Sequence, residues 1–179
     1  MTLQWTNEPP MWREDNGVLT IRAAGRTDFW RKTHDGGIRD SGHFYFDGIE
    51  GDFSATVEIV GEYQDQYDQA GLMVRLDEAT WLKCGVELKD GIQYASVVVT
   101  RDWSDWSVVK LDQPASIWMR LQREQNTLEV YFSLDGQSFQ MLRQTFLTDA
   151  SALTIGPMIA APKGDGFQAV FKDFILRKS

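Results

Sequence analysis

Residues 68–88 read DQAGLMVRLDEATWLKCGVEL, and the period of the apolar positions in this stretch decides the fold. Ala70, Leu72, Val74 and Leu76 alternate with Gly71, Met73 and Arg75. After a short polar interruption, Leu82, Cys84, Val86 and Leu88 alternate with Trp81, Lys83, Gly85 and Glu87. Successive side chains of an extended chain point to opposite faces, so each run presents one apolar face and one mixed face. The polar Asp77-Glu78-Ala79-Thr80 between them reads as a hairpin connection. Lys89-Asp90-Gly91 supplies the next turn, because Asp-Gly tolerates positive φ.

Working outward, residues 92–100 form the third strand of this meander. The segment Arg101-Asp102-Trp103-Ser104-Asp105-Trp106 reads as a loop with paired tryptophans, followed by strands over 107–111, 117–123, 127–133, 139–145, 153–160 and 169–177. Upstream, Val57-Glu58-Ile59-Val60 is a further strand. Helical period is weak throughout; residues 147–153 are the one place where a short helix or 3₁₀ turn is expected. Residues 35–51, rich in glycine, are expected to carry long loops. Many short strands broken by Gly and Asp argue for an all-β fold, a two-sheet antiparallel β-sandwich, with residues 1–179 as one domain.

The formal net charge is −8. An acidic surface repels phosphate backbones and anionic lipid heads, so neither nucleic acid nor membrane is an expected partner. A neutral sugar or a cation is easier to accommodate, although the charge also serves plain solubility. The single cysteine, Cys84, excludes an intrachain disulfide, and its apolar, strand-like setting reads as a buried thiol. The start, MTLQWTNEPP, lacks a basic segment followed by an apolar run, and no apolar stretch approaches the ~18–20 residues that span a bilayer; a cytoplasmic location is expected. Seven tryptophans are many for this length, and each either packs under a loop or offers a binding face.

Together with TDFWRKTHDGGIRDSGHFYF over residues 27–46 and GDFSATVEI over 51–59, the 68–88 block resembles the domain of unknown function 1349, or regulation-of-enolase-like, family over nearly the whole chain. The resemblance implies a concanavalin A-like jelly roll of the lectin and glucanase kind, similar also to the accessory β-sandwich at the C-terminus of some β-xylosidases. Such a fold hosts both sugar binders and hydrolases, so the implied function is open at that level.

The mixed face of the meander is the first candidate site. In-register pairing brings Gln69, Met73 and Arg75 near Trp81, Lys83 and Glu87, with Tyr94 and Ser96 from the third strand. Aromatic platforms beside planar polar groups suit sugars, whose C–H faces stack on rings while hydroxyls bond to Arg, Glu and Gln. A solvated face with cross-strand ion pairs between Arg75 or Lys83 and Glu87 is the plain alternative. A second candidate gathers Asp28, Trp30, His34, Asp35, Asp40 and His43, with glycines that would let a loop fold over a site. The spacing of His34 and His43 matches no strong zinc pattern, and the expectation is a structured loop, with Trp30 and His34 meeting a ligand, and no metal. The acidic run at residues 61–68 lacks the spacing of a calcium loop, but Tyr67 and Asp68 lead directly into the specific block and are expected at the end of the groove. A loop tryptophan of the Trp103 and Trp106 pair is a candidate platform or lid, Trp103 first, with packing under the loop as an equal alternative.

Glycosidase chemistry usually needs two carboxyl groups roughly 5–10 Å apart. The Glu-x-Asp-x-x-Glu run of laminarinase-type relatives of this fold is missing, and so are the nucleophile elbow, the phosphate loop and His-Glu-x-x-His. The leading expectation is therefore a non-catalytic sandwich that binds a small molecule or oligosaccharide without a cofactor. The rivals are a regulatory protein that docks on a metabolic enzyme through a patch built from Trp5, Trp12 and Trp106, and a sugar-active hydrolase or isomerase using Glu87 with an aspartate such as Asp68.

Overall fold

A computed structural model describes residues 3–178. Among them the strands are β1 (Gln4–Thr6), β2 (Met11–Asp15), β3 (Val18–Arg22), β4 (Phe29–Arg31), β5 (Ile38–Asp40), β6 (His43–Glu50), β7 (Phe53–Gly61) and β8 (Gln69–Asp77). Then follow β9 (Thr80–Lys89), β10 (Ile92–Arg101), β11 (Trp103–Lys110), β12 (Ile117–Glu124), β13 (Thr127–Ser133), β14 (Gln140–Phe146), β15 (Ala152–Ala160) and β16 (Gln168–Lys178). Two seven-stranded antiparallel sheets pack as a sandwich, in the orders β1-β6-β15-β8-β9-β10-β11 and β14-β13-β12-β7-β16-β3-β2, with β4 and β5 as a separate hairpin. The expected sandwich is present, and no helix occurs among the described residues; residues 147–153 lead into β15 without a helical turn. The glycine-rich residues 35–51 hold β5 and β6 instead of long loops.

The alternation in the 68–88 block does what its period requires. Ala70, Leu72, Val74, Leu82, Cys84 and Val86 enter the core between the sheets, where they meet Val57, Ile59, Met119 and Leu121 from the second sheet. Leu76 is the exception: a register shift between Arg75 and Asp77 breaks the alternation and leaves it exposed. Cys84 is buried among these residues, and burial pushes its thiol up to about 12, so it stays protonated.

The outer face of the first sheet is where the fold departs from a simple sandwich. A second apolar cluster forms there from Phe29, Phe44, Met73, Trp81, Val98 and Met158. The β4–β5 hairpin covers it. Phe29 inserts against Trp81 with ring centroids 6.3 Å apart. Asp40 grips Arg75 through two bonds of 2.6 and 2.8 Å, the bidentate geometry that carboxylate and guanidinium favour. At the other side Ser104 Oγ accepts from Arg31 N at 2.9 Å, and Thr33 Oγ1 donates to the Ser104 carbonyl. Gly42 must lack a side chain, because a Cβ there would lie 2.2 Å from the Phe29 ring. The hairpin is thus a lid riveted over one end of the sheet, and the other end stays open.

Candidate functional site

Two glycines, Gly71 and Gly85, stand opposite each other near the centre of the first sheet. In register across the sheet stand Met158, Gly71, Gly85, Ser96 and Val108. Gly71 and Gly85 add no side chain to this row. At the margin of the lid lies a hollow of about 1010 Å³, with Gln69, Lys83 and Glu87 of the sheet and Asp28, Trp30 and Trp106 in its lining.

Its floor is polar and buried. Lys83, only 5% exposed, donates to the Phe29 carbonyl at 2.7 Å and to Gln69 Oε1, and its ammonium stands 3.6 Å from Asp28 Oδ1. Gln69 turns its amide to the Tyr67 carbonyl at 3.1 Å and to Asp28 at 3.4 Å. Glu87, 7% exposed, accepts at Oε2 from Ser96 Oγ at 2.8 Å. Ser96 accepts in turn from Trp106 Nε1 at 3.0 Å, which fixes both the serine hydroxyl and the indole.

The wall is aromatic. Trp106 stands in the middle, perpendicular to Trp30 (centroids 6.5 Å, 90°) and nearly so to Tyr67 (6.2 Å, 82°). The Trp30 N–H is also spent inside the protein, on the Thr33 carbonyl at 2.7 Å. Both indoles therefore offer faces, not donors, to anything that enters. Tyr67 and His34 sit at φ 71° and 81°. Left-handed backbone at a tyrosine and a histidine costs on the order of 1 kcal/mol each, and such strain clusters at functional sites.

Of the residues singled out from the sequence, Trp30, His34, Tyr67, Gln69, Lys83 and Glu87 line this hollow. Five do not. Trp81 is fully buried beneath the lid against Phe29, so it is a core residue and no platform. Arg75 is tied to Asp40 in the same covered half. Asp68 turns away to accept from the backbone N–H groups of Gln64 and Asp65, both at 2.9 Å, and so forms no pair with Glu87. Tyr94 lies opposite Glu87 in register but outside the lining. Trp103 is 58% exposed beyond the rim, with the Lys32 ammonium 5.6 Å from its ring. His43 is also remote from His34. It is buried as a neutral ring that accepts from Ala24 N and bonds Asn7 O, and burial lowers its pKa. Among the described residues no group of three or more His, Cys, Asp or Glu could hold a metal ion.

Sequence reading gathers Asp28 with the second candidate, not with Lys83 and Glu87, and favours Trp103 over Trp106; the structure joins Asp28 to the floor and makes Trp106 the wall. The tryptophan pair was assigned to a loop, whereas β11 starts at Trp103. Extending the strand backwards from Val108 at period two would have put Trp106 on the outer face. Trp5 and Trp12, grouped with it as a docking patch, cluster with Tyr45 instead, and β1 and β11 are opposite edges of the first sheet.

Burial raises the pKa of Glu87, against the opposing pull of Lys83 and the Ser96 hydrogen bond. A carboxyl whose folded pKa is raised binds more protons folded than unfolded. Its contribution to stability is therefore greatest below the ordinary glutamate range and falls as pH rises through it. Glu87→Gln is expected to raise the melting temperature near pH 7 by about 2–4 °C, as roughly 1 kcal/mol does in a chain of this size. The gain should shrink toward about pH 4, where the wild-type carboxyl is increasingly protonated. Taking the difference between variant and wild type cancels the separate contribution of His43. A variant that melts lower at both pH values would show the charge to be fully compensated.

Comparison with known proteins gives the same architecture and a family. Residues 5–179 match the family described as protein of unknown function (DUF1349). The chain is 36% identical over 175 residues to "Regulation of enolase protein 1" of Saccharomyces cerevisiae, covering 96% of this chain and 87% of the yeast protein. It superposes on the crystal structure of a functionally unknown Saccharomyces cerevisiae protein with a TM-score of 0.95 at 34% identity, over 99% of this chain and 96% of that one. Two more distant structures share the fold alone. The carbohydrate binding module CBM66 of Bacillus subtilis has a TM-score of 0.62 at 15% identity, over 97% of this chain and 95% of the module. The GH43 protein BlXynB of Bacillus licheniformis has a TM-score of 0.75 at 16% identity, over 99% of this chain but 37% of that protein. With the family pattern matched over residues 5–179 and a relative 36% identical over 96% of the chain's length, this chain belongs to the DUF1349 family.

Proposed function

We propose that the hollow binds a carbohydrate and that binding, without bond cleavage, is what the fold is built for. The observation that carries this reading is the division of the hollow into an aromatic wall and a polar floor. Trp30, Trp106 and Tyr67 present ring surface, while Glu87 and Asp28 present carboxylate oxygens in the same lining. A pyranose has the same two-sided chemistry: C–H faces that stack and hydroxyls that donate. The sandwich shared with a carbohydrate binding module supports the reading at the level of fold.

Calorimetric titration with a panel of mono- and oligosaccharides tests it. At least one sugar is expected to bind, and Trp106→Ala should weaken that sugar by about tenfold or more, the loss of one stacking face. Silence across the panel from folded protein, or unchanged affinity in Trp106→Ala, would overturn the reading.

A second reading takes its support from the yeast relative's name, which speaks of regulation of enolase: this chain would regulate a metabolic enzyme, and we propose that it does so by binding it. The two are compatible if sugar occupancy alters the surface presented to the enzyme. Retention of a metabolic enzyme by immobilised protein, and its release by excess soluble chain, is the expected result.

A further inference from the structure

We infer that the ligand's buried end carries a protonated amine, so that the hollow selects a free amino sugar over its neutral and N-acetylated counterparts; this rests on the carbohydrate reading above. The inference comes from counting which polar valences of the floor remain unspent. The donors are committed. Lys83 is shared between the Phe29 carbonyl, Gln69 and Asp28, and Gln69 gives its amide to Tyr67 and Asp28. Both indole N–H groups of the wall are bonded within the protein. What remains is acceptor. Asp28 takes its bonds, from Phe29 N and Gln69, at Oδ1, and Glu87 takes its bond from Ser96 at Oε2. Among the described residues the second oxygen of each carboxylate accepts nothing.

Charge decides between an amine and a hydroxyl. The lone ammonium of the floor lies within ion-pair distance of Asp28 and not of Glu87. Among the described residues Glu87 has no ion-pair partner, although more than nine-tenths of it is buried and it faces the hollow. The rim does not compensate it. Arg39 pairs with Asp35, and Arg26 lies 3.9 Å from Asp165 with both side chains in water. Lys163 is exposed, and Asp105 is drawn to Arg143. Surface charges of this kind are screened, and Lys83, already paired with Asp28, compensates the buried Glu87 only in part, which leaves a costly shortfall of positive charge. A ligand ammonium would supply the missing charge and would also be attracted by the face of Trp106. On the floor an anionic group would meet only acceptors, the lining cations Arg26, Arg39 and Lys163 standing at the rim. N-acetylation removes the positive charge and replaces a strong donor by a neutral amide.

The experiment is calorimetric titration of the full chain with glucosamine, galactosamine and mannosamine, each beside its N-acetyl and 2-hydroxy counterpart, near neutral pH and low salt. At least one amino sugar should bind ten times or more tightly than both counterparts. The ratio should collapse toward one in Glu87→Gln, with folding checked by circular dichroism, and should shrink as salt is raised. Binding of a 2-hydroxy or N-acetyl sugar as tightly as the amine would overturn the inference and leave the carbohydrate reading standing. An amine preference that survives Glu87→Gln would also overturn it. No binding by any member of the three classes would remove both.

Discussion

Gly71→Ala is expected to leave most of the chain unfolded in urea concentrations at which the wild type is native. A Cβ at Gly71 would lie 1.8 Å from the carbonyl oxygen of Cys84 and 2.7 Å from Cα of Gly85. Both are backbone atoms of the neighbouring strand, so no rotamer change relieves the contact. The strands must part, at the centre of the sheet and directly under the core residues Leu72 and Cys84. The cost is expected to be about 4 kcal/mol or more, at the extreme of single substitutions. That is a large share of the ~5–15 kcal/mol that holds a folded chain together. Gly48→Ala is the control, since a Cβ there meets nothing within 4 Å. Urea midpoints for the two variants settle the matter; equal midpoints would mean that the Gly71–Gly85 approach is not what the close pairing of β8 and β9 depends on.

Trp81→Ala is expected to cost about 3–5 kcal/mol, the range for removing a fully buried aromatic side chain. The loss should not be spread evenly. Trp81 packs beneath the lid, so the vacancy opens under Phe29, while the core between the sheets keeps its contacts. Amide hydrogen exchange in Phe29–Arg31 should therefore accelerate far more than in Ile117–Glu124 at the same denaturant concentration. The hollow takes Trp30, His34 and Asp28 from this lid segment, so sugar affinity should fall with lid protection even though Trp81 never touches the hollow. Trp103→Ala, at an exposed position, should stay within about 0.5 kcal/mol. Uniform acceleration of exchange through both sheets would show the lid to be an integral part of the main core.

These effects separate what was legible in the sequence from what was not. The alternation of Ala70, Leu72 and Val74 against Gln69, Met73 and Arg75 is a local property, and it carried both the strand assignments and the sidedness of the sheet. It could not say that the outer face is divided. Met73, Trp81 and Arg75 share a face with Gln69, Lys83 and Glu87, yet the first three are roofed by Phe29 and Asp40 while the others stay open. That division depends on where residues 28–43 land, and the contacts that place them, Arg75 with Asp40 and Arg31 with Ser104, join residues far apart in the chain. Asp68 misled for a related reason: it is adjacent to the block in sequence, but its oxygen is claimed by the turn it closes. Trp106 was hidden by an early loop boundary, although its period with Val108 was available.

The binding reading rests on Trp30 and Trp106 being the rings that ligand meets, and their indole N–H groups report on it separately from the other tryptophans. Each of the two is held by a defined acceptor, Thr33 O and Ser96 Oγ, whereas the Trp81 N–H bonds the Glu78 carbonyl under the lid and that of Trp12 bonds Glu8. Titration of ¹⁵N-labelled protein with the amino sugars, followed by indole N–H resonances, should move the signals of Trp30 and Trp106 together and leave those of Trp12 and Trp81 in place. Saturable shifts at Trp12 with Trp30 and Trp106 unmoved would put the ligand elsewhere on the molecule and contradict the assignment of the hollow.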